Sequence, residues 1–225
     1  MSDRSRKINP MKKLILLAVM LASVSAAHAI IYSTNWSSGF ANAGVVPDNN
    51  FSGWSDTRNV STMPAGTIAS LSVDLHLTGG WNGDLYAYLV HDSGFTVLLD
   101  HVGTGVSGVS AYGYGDAGMN LNLTATGTSI HQYGGNTTFS GNPTGTFQTD
   151  NTGGSLASFL STNPNGTWSL FLADTSGGGV STLQSWGLQM DIVAVPEVET
   201  WIAAALAGMF GAFWLNRQLL GAKRG

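Results

Sequence analysis

The sequence predicts an all-β protein, a two-sheet β-sandwich over Ile30 to Val195, between an N-terminal signal helix and a C-terminal transmembrane helix. Three observations carry that expectation. Gly accounts for 30 of 225 residues and charged residues for only 10%, against about 25% in an ordinary soluble domain, which excludes a helical bundle rich in Lys, Glu and Ala. Several short segments alternate apolar and polar residues with period two, as half-buried strands do. Clusters of Gly, Ser, Thr and Asp punctuate those segments, and no ten-residue amphipathic helical pattern lies between them.

At the N-terminus, Lys12 and Lys13 precede the apolar run Leu14 to Ala22, and small residues follow as far as Ala27-His28-Ala29. A charged, an apolar and an A-x-A region in that order form a secretory signal peptide, so residues 1–29 are expected to be removed by signal peptidase after Ala29. The mature chain has no Cys. Disulfides, metal–thiolate sites and a Cys nucleophile are therefore excluded, and stability must come from burial.

The body follows. Leu71, Val73, Leu75 and Leu77 alternate with Ser72, Asp74, His76 and Thr78, the mark of one half-buried strand. Leu85 to Val90 and Thr96 to Leu99 make a hairpin across His91 to Phe95. Further strands are expected at Met119, Leu121 and Leu123, at Trp168, Leu170 and Leu172, and at Trp186, Leu188, Met190 and Ile192. The body carries ten Asp, no Glu and a single base, Arg58, which leaves it nine negative charges. Such a surface repels phosphate backbones and excludes nucleic acid as a partner.

Two segments resemble the P domain, the jelly-roll module that follows the catalytic domain of kexin- and furin-type proprotein convertases. The first is GTIASLSVDLHL from Gly66, with Asn82-Gly-Asp-Leu-Tyr-Ala-Tyr-Leu-Val; the second is Gly166-Thr-Trp-Ser-Leu-Phe-Leu-Ala-Asp174, with Ser181-Thr-Leu-Gln-Ser-Trp-Gly-Leu. The match is best over 66–192. The resemblance implies a P-domain or galactose-binding-like jelly roll, and turn-fixing roles for Asp84 and Asp174. Convertase P domains adjoin a subtilisin-like protease for which this chain has no room. The likeness thus implies a structural, adhesive or binding module, with an accessory to a separate protease, or a hydrolase, as remoter readings.

After the body come Val195-Pro196-Glu197, the charge-free stretch WIAAALAGMFGAFWL at 201–215, and the basic residues Arg217, Lys223 and Arg224. Pro196 cannot continue a central strand and marks the boundary. As a helix the fifteen apolar residues reach about 22 Å; Val198 to Leu220 with snorkelling ends approaches the ~30 Å of a hydrocarbon core. Residues 196–225 resemble the PEP-CTERM sorting signal, with Val198 where a second Pro is usual. The resemblance implies membrane insertion followed by recognition of Pro196 and Glu197 by an exosortase-type membrane protease. It also implies a place at the cell envelope or in its extracellular matrix.

Three chemistries remain to be weighed in the body. For catalysis, His76, His91, His101 and His131 are available with many Ser and Asp, yet none stands in a nucleophile-elbow context, and no enzyme is expected. No cofactor is expected either, unless acidic turns hold calcium. Asp84, Asp92 and Asp174 are the candidate ligands; the plainer alternative, favoured by the sequence, is that each accepts hydrogen bonds from turn amides. Extracellular polysaccharide is the third possibility, since aromatic rings in Gly- or Asn-rich segments can stack on sugars. Trp81, Trp54, Tyr112 and Tyr114 are the candidates, whereas Trp168 and Trp186 read as core.

Overall fold

The structure, a computed structural model, describes residues 29–194 and 198–221. Ala27, Pro196, Glu197, Lys223 and Arg224, on which the expected signal and sorting sites rest, lie outside the described residues; Ala29 opens the first strand. The chain divides into two units, one of which is Ala29–Ala194.

That unit is an all-β sandwich. Its strands are β1 (Ala29–Trp36), β2 (Asn50–Val60), β3 (Gly66–Gly79), β4 (Leu85–His91), β5 (Gly94–Asp100), β6 (Gly118–Ser129), β7 (Thr144–Gln148), β8 (Gly166–Asp174) and β9 (Ser181–Ala194). One sheet runs in the order β1-β9-β3-β6-β7, the other β2-β8-β4-β5. Neighbours are antiparallel except β6 and β7.

Period-two alternation decides which residues meet between the sheets. Leu71, Val73, Leu75 and Leu77 of β3, Met119, Leu121 and Leu123 of β6, and Trp186, Leu188, Met190 and Ile192 of β9 are buried. Leu85, Ala87 and Leu89 of β4 and Trp168, Leu170 and Leu172 of β8 bury the facing layer. Each of these Val, Leu, Ile and Met side chains contributes about 1.5–3 kcal/mol on leaving water, and one core unites them. Two irregularities keep the alternation in step. The register of β3 against β9 shifts between Ile68 and Ser70, and again between His76 and Leu77. An extra residue therefore lets Ile68 and Leu71 both point inward, and likewise Leu183 and Trp186.

Arg58, the single base of the body, is structural. Its Nε donates to Asp56 Oδ2 at 2.6 Å, and a second guanidinium nitrogen donates to Ser38 O at 2.7 Å. Its plane lies over Trp36 and Phe40, 5.9 and 5.3 Å from the ring centres. The same carboxylate oxygen of Asp56, a buried residue, accepts from the indole Nε1 of Trp186 at 2.7 Å.

In the other unit, α1 spans Val198–Gly221. Among the described residues no helix is long and apolar enough to cross a membrane, where the sequence predicts a span at 201–215. Its twenty-four residues reach about 36 Å. The apolar stretch covers only fifteen of them, and Glu199, Thr200, Asn216, Arg217 and Gln218 lie within the helix. Leu206, Met209, Phe210, Phe213 and Trp214 are exposed on it.

Candidate functional site

Strand register brings the candidate residues together at one end of the sandwich. Leu85 at the start of β4 pairs with Asp174 at the end of β8, which sets Asp84 beside Asp174 although ninety residues separate them in the chain. The 3-10 turn Asn82–Asp84 feeds β4. Thr175 locks the two ends: its amide and its hydroxyl both donate to Asp84 O, at 2.9 and 3.0 Å.

The loop after β5 closes over this turn. Gly83 N–H donates to Tyr114 O at 2.9 Å, and a Cβ on Gly83 would stand 2.1 Å from Tyr112 O. Only Gly admits that approach, so the Gly of Asn82-Gly-Asp84 is what lets Tyr112 overhang the turn. Asn82 fastens the far side, donating to Gly118 O and the Tyr133 hydroxyl and accepting from the Gly118 amide. Asp116 accepts from the Tyr133 hydroxyl and from the Ser140 and Gly141 amides, and so holds the neighbouring loop.

The result is an open cleft of about 420 Å³ lined by Trp81, Asp84, Tyr112 and the loop Ser176 to Gly178. Tyr112 is 69% exposed. Trp81 stands edge-on to Phe139 with ring centres 5.4 Å apart, and Phe139 is itself exposed. A flat aromatic wall above a carboxylate suits a ligand with one apolar face and several hydroxyls.

Of the residues singled out from sequence, Trp81, Tyr112, Asp84 and Asp174 meet at this end and three others do not. Tyr114 is fully buried, its ring 4.2 Å from that of Tyr133 and its hydroxyl donating to Gly135 O, so it presents no stacking face. Trp54 packs against the core and Phe40, with Nε1 donating to Val45 O. Asp92 lies in the turn after β4, a strand's length of about 20 Å from Asp84, so the three Asp cannot share one cation. Among the described residues no group of three His, Cys, Asp or Glu forms a metal centre by itself.

Sequence reasoning passed over Asp48 and weighed His101 for catalysis alone. Asp48, in the turn before β2, accepts from the Gly178 amide at 3.4 Å. His101 connects Asp100, 2.7 Å from Nδ1, to the Thr175 hydroxyl, 2.8 Å from Nε2. Asp–His–hydroxyl order evokes nucleophilic catalysis; Nδ1 faces a carboxylate, and the Thr175 hydroxyl lies within hydrogen-bond reach of both Nε2 and Asp84 O. The chain of bonds braces the Asp174–Thr175 corner. His101 has φ +50, a strained value for a non-Gly residue. That corner supplies the strain's counterweight.

Burial pushes the Asp174 carboxyl up to about 6, with the charges of Asp84 and Asp48 adding to the rise and the Ser176 amide opposing it. Burial raises Asp84 as well. An Asp in the unfolded chain titrates near 3.9. The folded protein thus binds this proton more tightly, so in cation-free buffer stability falls as pH rises from about 4 to about 6 and stays lowered above. Asp174→Asn is expected to raise stability at pH 7 by on the order of 2 kcal/mol and to flatten that slope. Thermal melts in EDTA across pH 4–7 check it; a variant with the wild-type slope would show that another group titrates.

No protein-family model matches the chain, and no curated protein matches it. The likenesses to the P domain and to the PEP-CTERM signal therefore rest on the residues quoted for them. Among solved structures, the chain is similar to the Aeromonas sobria serine protease in complex with the chaperone ORF2, at 16% identity and a TM-score of 0.43, over 79% of this chain and 30% of that one. It is likewise similar to the serine protease of Aeromonas sobria, at 16% identity and a TM-score of 0.42, over 78% of this chain and 29% of that one. The chain spans about 30% of the length of these structural relatives.

Proposed function

We propose that this is an exported, non-catalytic component of the cell surface or extracellular matrix, a P-domain-like jelly roll whose loop-end cleft binds matrix polysaccharide. The exposed Tyr112 beside Trp81, over Asp84, carries the reading. Sorting is assigned to the C-terminal segment: Pro196-Glu197 is the processing motif, and the exposed apolar side chains of α1 are what an exosortase-type protease would grip.

Retention of the full chain on polysaccharide beads prepared from the producing cells' own matrix tests the cleft. Tyr112→Ala and Trp81→Ala are each expected to weaken retention about tenfold, since one stacked ring is worth roughly 1–2 kcal/mol. Retention unchanged in both variants would remove the polysaccharide reading. Intact mass tests the sorting: a species running from Ile30 to about Pro196 in the matrix is expected, and a species ending at Gly225 would refute processing.

A further inference from the structure

We infer that Asp84 and Asp174 bind a divalent cation, calcium by the chemistry of the donors, between the turn before β4 and the loop after β8. The argument starts from polar groups left without partners. Asp174 is fully buried, and its Oδ2 has no hydrogen bond. Among the described residues the other buried side-chain polar atoms without a partner are Trp81 Nε1 and Ser181 Oγ. All three belong to the same two facing segments, which β3 and β9 bring together by pairing Gly79 with Ser181. More than nine in ten buried polar groups in folded proteins are satisfied, so a cluster of three orphans at one end marks a place where something else binds.

Charge says what that is. Asp84 and Asp48 stand close enough to Asp174 for their negative charge to act on it. The single Arg of the body lies on β2 and is engaged by Asp56 and by Ser38 O, so no Lys or Arg of the sandwich answers these carboxylates. A buried carboxylate without a counter-charge is costly. Zinc is disfavoured, since the chain has no Cys and both ring nitrogens of His101 are already engaged. Calcium takes six to eight oxygens and accepts carboxylates, hydroxyls, carbonyls and water together. With only two or three carboxylates in reach, the remaining ligands are neutral oxygens of the Ser176–Ser181 loop and water. The site shares Asp84 with the cleft but does not rest on the polysaccharide reading: it fixes the loop behind the cleft whether or not a glycan binds in front.

The test is the melting temperature of the full chain in EDTA, in calcium chloride and in magnesium chloride. Calcium at a hundred times its dissociation constant is expected to raise the melting temperature by about 5 °C or more, and magnesium by much less. Asp174→Asn and Asp84→Asn are each expected to abolish the rise, while Asp92→Asn at the opposite end keeps it. Terbium supplies a second readout that does not depend on the variants folding. Its luminescence, excited through tryptophan, is expected with the wild-type chain, to be displaced by calcium and to be reduced in Trp81→Phe. Identical melts in calcium and EDTA with no terbium signal would overturn the site and leave a proton or a water on Asp174. A calcium shift that survives Asp174→Asn would overturn it equally. Polysaccharide retention that persists in EDTA separates failure of this site from failure of the cleft.

Discussion

Replacing Arg58 by Met is expected to destabilise the sandwich by about 3–5 kcal/mol, because removing one partner of a buried ion pair strands the other charge. Asp56 would keep its hydrogen bond from the Trp186 indole but lose the guanidinium 2.6 Å away. For a unit of this size the loss corresponds to roughly 10 °C in melting temperature. A second substitution identifies the cause. Asp56→Asn in the Arg58→Met background removes the stranded charge and leaves an amide oxygen for the indole, so most of the stability should return. No recovery in the double variant would mean that Arg58 acts mainly by covering Trp36 and Phe40.

Trp168→Ala is the second large effect, about 3–5 kcal/mol as expected for truncating a large core ring. The indole is fully buried in β8, stacks on His91 with centres 3.9 Å apart and planes 3° apart, and packs on Phe159 at 5.4 Å. Its Nε1 donates to Pro164 O. The stack has a further consequence, because the two ring nitrogens of His91 face the carbonyls of Thr167 and Asn163. Without Trp168 the imidazole loses the surface that holds it between them, so the loop before β8 loosens together with the core. Urea unfolding would show a lower midpoint with little change in slope. A loss below 1 kcal/mol would mean that the pocket collapses without cost.

Six strands are legible in the sequence, β3, β4, β5, β6, β8 and β9, and all but β5, the outer strand of the hairpin with β4, have a neighbour on both sides. There each inward residue must be apolar and each outward one is free to be polar, which writes period two into the chain. The three that escaped notice, β1, β2 and β7, are sheet edges. In β1 both Ile30 and Ile31 are exposed, in β7 no residue is fully buried, and β2 buries only Asp56 and Val60. With so little full burial on either face, the apolar residues leave no strong period-two pattern. The hairpin turn was expected to be five residues; pairing of His91 with Gly94 reduces it to Asp92 and Ser93.

The candidate site divides in the same way. That Asp84 and Asp174 sit in turns followed from their Gly-rich surroundings, but nothing local records that residues ninety apart share a strand end. That adjacency comes from the β4–β8 register, and so does the charge repulsion between the two carboxylates. Tyr112 and Tyr114 are interchangeable by composition, two rings in one Gly-rich loop. The loop's hydrogen bonds to Gly83 and Gly135 turn one outward and the other into the core. By itself the sequence determined the all-β class, the core strands, the lack of any thiol and the separate character of the C-terminal helix, because composition and local periodicity encode burial. Tertiary structure alone decided which acids meet, which rings face solvent and how Arg58 is used, because those depend on long-range pairing that leaves no local pattern.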